Sequence, residues 1–232
     1  YQPKVDVKTG RICGAEALVR WDLSERGIIL PSEFIPLAER SNLIIELDRW
    51  SLTQAIATVV KHKAEDDEIK LFVNQSNVTL LDGEQLAWLK NQLKAYSLHS
   101  NALVIEINHN DALLNRQSIK EFCHALVDDG IQFCLSRYNP RNDEPNLLTT
   151  LPLSYVKLAQ GLTADLGSNK TRDDIKVMVD FAHRNGLEVI GHSVEDAQSA
   201  ATLWMSGIDF IQGNLVQSAA ATLEFGFDQS VL

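Results

Sequence analysis

Short apolar runs alternate along the chain with longer stretches in which apolar residues recur at helical spacing. The runs are rich in Val, Ile, Leu and Phe, a composition typical of strands that are buried on both faces of a sheet. Eight strands are therefore predicted, at residues 2–7, 13–21, 71–75, 103–107, 132–135, 155–158, 188–191 and 210–212.

The stretches between these runs carry helix patterns. The first opens with Pro31 and places Phe34, Leu37 and Ala38 on one face. Proline is favoured at the first position of a helix because its missing N–H has no partner there in any case. Six helices are predicted, at residues 31–40, 47–62, 84–96, 117–128, 173–185 and 197–205.

The connections between the strands predict an α/β fold. Only residues 8–11 separate the first two strands, and so short a connection makes an antiparallel hairpin. Helices separate the later strands, which implies parallel pairing. We expect a TIM-like (β/α)8 barrel with one antiparallel strand, and an open doubly wound sheet is the alternative.

No linker or low-complexity segment divides the chain, so residues 1–232 are predicted to form a single domain. The sequence starts at Tyr1 inside a predicted strand, and we expect the domain to be the C-terminal part of a longer, multidomain protein. Residues 139–146 contain Pro140 and Pro145 among Asn, Arg and Asp and are predicted to form a loop after a strand. In a barrel, that loop lies at the face where active sites are found.

The composition excludes some classes of function. The net charge is −10 and the sequence pI is about 5.0, with no Lys/Arg cluster of the kind that binds DNA or RNA. No apolar run approaches the roughly 20 residues that cross a bilayer, so no membrane insertion is expected of this segment. The three cysteines show no CxxC spacing and are typical of free thiols in a cytoplasmic protein.

Polar residues occupy the ends of five predicted strands. A charged group in a buried strand is unfavourable unless it is paired or binds a metal, so together they indicate a site at the barrel mouth. For each residue alone, a position just beyond the barrel in water remains an alternative. The five are Glu16, Asn74, Glu106, Lys157 and Gln212.

The oxygen atoms of two Glu and one Asn suit Mg²⁺ or Mn²⁺. The set is small for a two-metal centre, because it has only two negative charges and includes Lys157. The sequence lacks a GxxxxGK[ST] phosphate loop, a GxSxG motif and an HExxH motif. We expect His109 and His124 at the surface or at helix ends, and the four Trp residues in the core or in packing positions.

Seven ordered motifs spread over about 210 residues resemble the EAL family of cyclic di-GMP (c-di-GMP) phosphodiesterases. They are Tyr1-Gln2-Pro3, residues 14–21 with Glu-Ala-Leu at 16–18, residues 31–39, Val73-Asn74-Gln75-Ser76, Ile105-Glu106-Ile107, Val156-Lys157-Leu158 and Ile211-Gln212-Gly213. The resemblance implies a barrel with one antiparallel strand that hydrolyses c-di-GMP with Mg²⁺ or Mn²⁺. It implies metal ligands at Glu16, Asn74 and Glu106, a lysine near the attacking water at Lys157, and a later acid at Glu195.

The sequence departs from the family where acids are needed. The family's Asp-Asp-Phe-Gly-Thr-Gly motif falls on residues 136–141, with Ser136 and Arg137 at the two aspartates. Ala159 and His192 replace two further acids. Replacing Asp by Arg changes the local charge by two units, and one pair of charges about 4 Å apart interacts by about 4 kcal/mol at an effective dielectric of about 20. Negligible phosphodiesterase activity and no requirement for a metal are therefore predicted.

The binding residues of the family are better kept than the catalytic ones. Candidate contacts to guanine rings and phosphates are Gln2, Leu18, Arg20, Phe34, Pro36, Asp48, Glu195 and Gln212. Arg137 is a further candidate for a phosphate contact, because Arg makes strong bidentate contacts to phosphate. The alternatives are that Phe34 belongs to a helix core, that Asp48 caps a helix or meets water, and that Arg137 points into solvent.

The pattern of lost motifs resembles the degenerate EAL domains of the FimX type. That resemblance implies a c-di-GMP receptor that engages a PilZ-domain protein to control type IV pili and twitching motility. A module that binds a protein partner without nucleotide, and an enzyme with weak residual activity, are the alternatives.

Overall fold

The computed structural model describes residues 1–23, 27–64, 69–98, 101–139 and 147–223. Eight strands close into a barrel in the order β1-β10-β9-β8-β7-β6-β5-β2. The closed barrel confirms the predicted fold class and excludes the open sheet. These strands are β1 (Gln2–Asp6), β2 (Ile12–Ala17), β5 (Leu71–Asn74), β6 (Leu103–Asn108), β7 (Gln132–Tyr138), β8 (Tyr155–Leu158), β9 (Glu188–Gly191) and β10 (Phe210–Ile211).

The reversed strand is β1, which pairs antiparallel with both β2 and β10. A tight turn leads from β1 into β2: Asp6 accepts hydrogen bonds from the backbone N–H groups of Lys8 and Thr9, both at 2.8 Å. Gly10 has a φ of 70° in this turn, a conformation that favours glycine. Because β1 runs backwards, its amino end lies beside the carboxyl ends of the other strands.

Ten helices lie among the described residues, and all six predicted helices are present. They are α1 (Pro31–Arg40), α2 (Ile44–Ala64), α3 (Asn77–Leu80), α4 (Gln85–Ala95), α5 (His109–Leu114), α6 (Arg116–Val127), α7 (Leu147–Thr150), α8 (Gln160–Ala164), α9 (Asn169–Arg184) and α10 (Ala197–Met205). Periodicity does not reveal α3, α5, α7 and α8, because four to six residues are too few to show it.

Two predictions about strands are wrong in detail. The second strand ends at Ala17 and does not reach residue 21. Trp21 instead opens a separate antiparallel pair, β3 (Trp21–Leu23) with β4 (Gly27–Ile29), so not every later pairing is parallel. Of the predicted loop at 139–146, only Asn139 lies within the described residues.

The hydrophobic core has two layers. The larger layer lies between the strands and the helices, and a smaller one fills the barrel interior with Phe72, Val104, Cys134, Tyr155, Ile190 and Phe210. Three of the four tryptophans, Trp21, Trp50 and Trp204, are at least half exposed, so core positions are wrong for them, although Trp21 packs against the ring of Phe34. His109 starts α5, as expected of a helix-end residue, but it is buried against the Tyr138 ring.

The two ends of the barrel interior differ in chemistry. At the end where the parallel strands begin, Lys70 donates a hydrogen bond to the Tyr155 hydroxyl at 2.5 Å and lies over its ring. The other end carries the candidate residues described next. Among the described helices, none combines the length and the apolar character needed to cross a bilayer.

Candidate functional site

The barrel brings the five strand-end residues together, as predicted. Lys157 lies at their centre, with its Nζ 2.8 Å from a Glu16 oxygen and 2.5 Å from a Glu106 oxygen. Asn74 and Gln212 donate side-chain hydrogen bonds to Glu16 at 2.7 Å and 2.8 Å. Parallel pairing of β5 with β6 places Asn74 directly beside Glu106, and β2 carries Glu16 next to β5. The strand ends therefore form one polar floor.

Sequence reasoning missed a second cation in this floor. Lys4 is fully buried, and its Nζ lies 3.3 Å from Glu16, 3.8 Å from Glu106 and 2.5 Å from the side-chain oxygen of Gln212. The ammonium group also stands 4.5 Å above the centre of the Phe72 ring. A signal was available, since Gln2 and Lys4 are two residues apart in β1 and therefore point to the same face.

The four charges of the floor control one another's protonation. Burial alone would raise the pKa of Glu16, but the ammonium groups of Lys157 and Lys4 hold that pKa well below its usual range. Burial and the negative charge of Glu16 raise the pKa of Glu106. Burial opposes the charge on Lys157, yet the two glutamates raise its pKa. For Lys4, burial and repulsion by Lys157 lower the pKa.

A cavity of about 750 Å³ opens above this floor. That volume lies within the usual range for small-molecule sites. Of the thirteen residues singled out from the sequence, eleven line its wall: Gln2, Glu16, Leu18, Pro36, Asp48, Asn74, Glu106, Arg137, Lys157, Glu195 and Gln212.

The other two candidates lie outside the cavity wall. Arg20 is exposed and donates to the backbone carbonyl of Val19 at 2.9 Å. Phe34 is buried in the inner face of α1, where its ring meets the edge of Trp21 with 5.8 Å between centroids. This is the helix-core position that was the alternative for Phe34.

Asp48 lines the cavity and also ties two helices together. Its Oδ2 accepts hydrogen bonds from the backbone N–H of Ser76 at 2.8 Å and from the hydroxyl of Thr79 at 2.6 Å. Burial raises its pKa to about 6 in spite of these hydrogen bonds. The carboxyl group therefore has a structural partner on α3 while it faces the cavity.

Arg137 sits at an irregularity of β7, where the pairing with β8 shifts register between Leu135 and Tyr138. Its φ of 54° lies in the left-handed region, which is uncommon for a residue with a side chain. The residue is exposed and lines the cavity. Burial and the negative charge of Glu39 raise the pKa of nearby Asp111, and the charge of Arg137 acts in the opposite direction. Ser136, beside it, is buried.

The loop after β9 supplies another part of the wall. The Nδ1 of His192 lies 2.9 Å from the hydroxyl of Ser193, and burial together with Lys157 lowers the pKa of His192 to about 4. Glu195 is exposed at the rim. The loop is held close to Gly213, where an added Cβ would lie 2.2 Å from the carbonyl oxygen of Val194.

The chemistry available at the floor is set by its net charge. Two carboxylates face two ammonium groups, and no described group of three or more His, Cys, Asp or Glu side chains is placed to hold a metal ion. Ammonium and amide hydrogens near the cavity suit an anionic ligand with several acceptors, such as a phosphodiester. Carboxyl groups on the walls suit hydrogen-bond donors, such as the edge of a purine ring.

Fold and site together define an α/β barrel with a ligand cavity at the carboxyl ends of its strands, the usual location of sites in such barrels. The chain belongs to the EAL domain family, whose model matches residues 1–219.

Relatives with known names support the same grouping. The chain is 28% identical over 217 residues to a cyclic di-GMP phosphodiesterase of Pseudomonas aeruginosa, covering 93% of this chain and 37% of that protein. It is 28% identical over 226 residues to the cyclic di-GMP phosphodiesterase PdeR of Escherichia coli, covering 97% of this chain and 34% of that protein. The chain thus spans about a third of the length of these curated relatives.

Among solved structures, the FimX EAL domain of Pseudomonas aeruginosa bound to c-di-GMP superposes with a TM-score of 0.89 at 26% identity. The match covers 98% of this chain and 92% of that one. The FimX EAL domain of Xanthomonas citri in complex with c-di-GMP has a TM-score of 0.90 at 21% identity, covering 98% and 89%, and shows the shared fold.

Proposed function

We propose that this chain is a catalytically inactive EAL domain that binds c-di-GMP in the cavity and passes the signal to a protein partner. The observation that carries the proposal is Arg137, which lines the cavity at a position where the family has an aspartate. In this proposal the domain requires no metal cofactor, and its ligand is c-di-GMP.

The cavity supports binding of a cyclic dinucleotide. Arg137 brings positive charge to its rim for the phosphates, and Asp48 and Glu195 offer carboxyl groups to guanine N–H donors. Leu18 and Pro36 add apolar surface against which a base can pack. The bound c-di-GMP in the FimX EAL domain, at 26% identity, is consistent with this assignment.

The missing acids support the absence of catalysis. Metal-assisted hydrolysis of a phosphodiester depends on acids that bridge two cations, and Ser136 and Arg137 stand where the family has two aspartates. The two glutamates that remain are each within 4 Å of the ammonium groups of Lys4 and Lys157. These residues do not fit a pair of divalent cations, so we assign no metal-dependent step to this chain.

The proposed partner is a PilZ-domain protein acting in the control of type IV pili and twitching motility, with the domain working in the cytoplasm. This part rests on the resemblance to FimX-type domains. Gel filtration of the chain with a purified PilZ-domain protein, with and without c-di-GMP, tests it. A complex that forms more readily with the nucleotide is expected.

Two measurements test the receptor function. Titration calorimetry with c-di-GMP in the presence of a chelator is expected to show micromolar or tighter binding. Chromatography of c-di-GMP incubated with the chain and Mn²⁺ is expected to show no linear product, in the wild type and in Glu16→Ala alike. Silence in the titration would favour a nucleotide-independent interaction module.

The relatives named as phosphodiesterases make residual hydrolysis the second candidate function. Product that forms with Mn²⁺ and disappears in Glu16→Ala would establish it and overturn the assignment as an inactive domain. The Glu16→Ala control is needed because a contaminating phosphodiesterase would be unaffected by the substitution.

A further inference from the structure

Lys4 is a charged side chain with no exposure to solvent, enclosed by the floor of the cavity on one side and the barrel interior on the other. It does not line the cavity, whereas Lys157 does. Its ammonium meets both carboxylates, the side-chain oxygen of Gln212 and the face of Phe72. A charge so deeply buried is tolerated only when it is paired and hydrogen-bonded.

The two lysines contact the same two acids. Lys157 approaches Glu16 Oε2 at 2.8 Å and Glu106 Oε2 at 2.5 Å, while Lys4 approaches Glu16 Oε2 at 3.3 Å and Glu106 Oε1 at 3.8 Å. All four side chains belong to strands of one closed barrel, so the arrangement is fixed by the fold. A divalent cation bound to either carboxylate would lie close to at least one ammonium group and be repelled by it.

We propose that Lys4 is a built-in counter-ion, which together with Lys157 neutralises Glu16 and Glu106 and takes the place of divalent cations in this site. Lys4 is a positioning residue: it holds the acids and Gln212 in a charge-neutral floor on which the ligand rests. The inference deepens the proposed receptor function, and its first test depends on that function.

The wild-type chain gives the first test. Calorimetric titration with c-di-GMP is expected to give affinities in a chelator and in millimolar Mn²⁺ that agree within about twofold, because the floor needs no added cation. Affinity that rises by about tenfold or more with Mn²⁺ would overturn the inference while leaving the receptor function intact. Absence of binding in both buffers would refute the receptor function, and the metal test below would then decide the inference alone.

Manganese binding gives the second test and needs no nucleotide. The electron paramagnetic resonance signal of free Mn²⁺ is expected to stay unchanged when wild-type chain is added. In Lys4→Met/Lys157→Met the two acids lose their counter-ions and can offer oxygen ligands together with Asn74, so capture of about one Mn²⁺ per chain is expected. Methionine keeps the length of the lysine stem, so the barrel interior stays filled.

A matched variant separates charge neutralisation from a general loss of lysine. Lys70→Met removes a partly buried lysine at the opposite end of the same barrel, where it contacts Tyr155. It is expected to capture no Mn²⁺. A folded double variant that also captures none would overturn the inference, as would wild-type chain that binds Mn²⁺. If circular dichroism shows the double variant to be unfolded, Lys4→Met alone replaces it, with weaker capture expected and the same contradictory outcome.

Discussion

Asp48 is a carboxyl group in a position where its negative charge is unfavourable. Burial raises its pKa to about 6, above that of the unfolded chain. Between about pH 4 and about pH 6 the folded state therefore binds more protons than the unfolded state, and the free energy of unfolding falls as the pH rises through this window. Asp48 destabilises the fold most at neutral pH.

Replacing Asp48 by Asn is expected to stabilise the ligand-free chain at pH 7 by on the order of 2 kcal/mol and to leave its stability near pH 4 unchanged. The amide oxygen can still accept the hydrogen bonds from Ser76 and Thr79. Urea denaturation across this pH range measures the effect. A difference between the two chains that does not vary with pH would show that the charge of Asp48 is not the cause.

Arg137 is expected to contact a ligand phosphate from the cavity rim. Because the side chain is exposed, water screens its charge, and Arg137→Ala is expected to weaken c-di-GMP binding by about 1 kcal/mol, or roughly fivefold. Calorimetry measures the affinity. Arg184→Ala on the exposed end of α9 is the control for the loss of one positive charge. Unchanged affinity in Arg137→Ala, or an equal loss in both variants, contradicts a specific contact.

Gly213 lies just after β10 and packs against the backbone of the loop after β9, which forms part of the cavity wall. An added Cβ would lie 2.2 Å from the carbonyl oxygen and 2.3 Å from the backbone nitrogen of Val194, so the loop after β9 would have to move away. That movement would break the hydrogen bonds from Val194 N to Gln212 O and from Leu215 N to Val194 O, both 3.0 Å.

Gly213→Ala is accordingly expected to destabilise the chain by about 2 kcal/mol or more and to weaken c-di-GMP binding, because Glu195 and Gln212 shift with the loop. Gly83→Ala is the matched control, since an added Cβ there meets no atom within 4 Å. Urea denaturation compares the two variants. If they prove equally stable, the close approach at Gly213 does not constrain the loop.

Most of the barrel strands could be predicted from the sequence because they are compact apolar runs, whereas β1, with the sequence Gln-Pro-Lys-Val-Asp, was predicted from the short connection that makes a hairpin with β2. The β3–β4 pair could not, because Trp21 extends the apolar run of β2 while the chain turns away after Ala17. The exposure of Trp50 on α2 could not be predicted for a different reason. Hydrophobic character favours burial, but folded proteins keep much apolar surface in contact with water.

The location of the site could be predicted from one rule about the geometry of parallel strands. Parallel strands present their carboxyl ends at one edge, so polar residues there, such as Glu106 and Lys157, were expected to meet. Lys4 was not predicted as a site residue, because β1 runs in the opposite direction and brings its amino end to that edge. Of the ligand contacts that the resemblance to the family predicts, Arg20 and Phe34 lie outside the cavity wall. Whether any of the other residues contacts c-di-GMP stays a prediction.

At the scale of the whole molecule, the closed barrel couples the cavity to global stability. β1 fills the gap between β2 and β10, and the backbone N–H of Ala220 donates to the carbonyl of Tyr1 at 2.8 Å, so the beginning and the late part of the described chain hold each other. A barrel without a free edge loses two strand pairings when any strand leaves. Unfolding is therefore expected to be a single transition.

A ligand bound at the floor should stabilise that entire unit. At a free c-di-GMP concentration of about one hundred times the dissociation constant, the gain is about 2.7 kcal/mol. For a chain of this size it corresponds to an increase in Tm of roughly 5–10 °C. Differential scanning calorimetry is expected to show one transition that moves upward as a whole. Lys70→Met, altered at the opposite end of the barrel, should show the same shift from its own baseline, and a shift confined to part of a split transition would mean that the cavity is not coupled to the rest of the barrel.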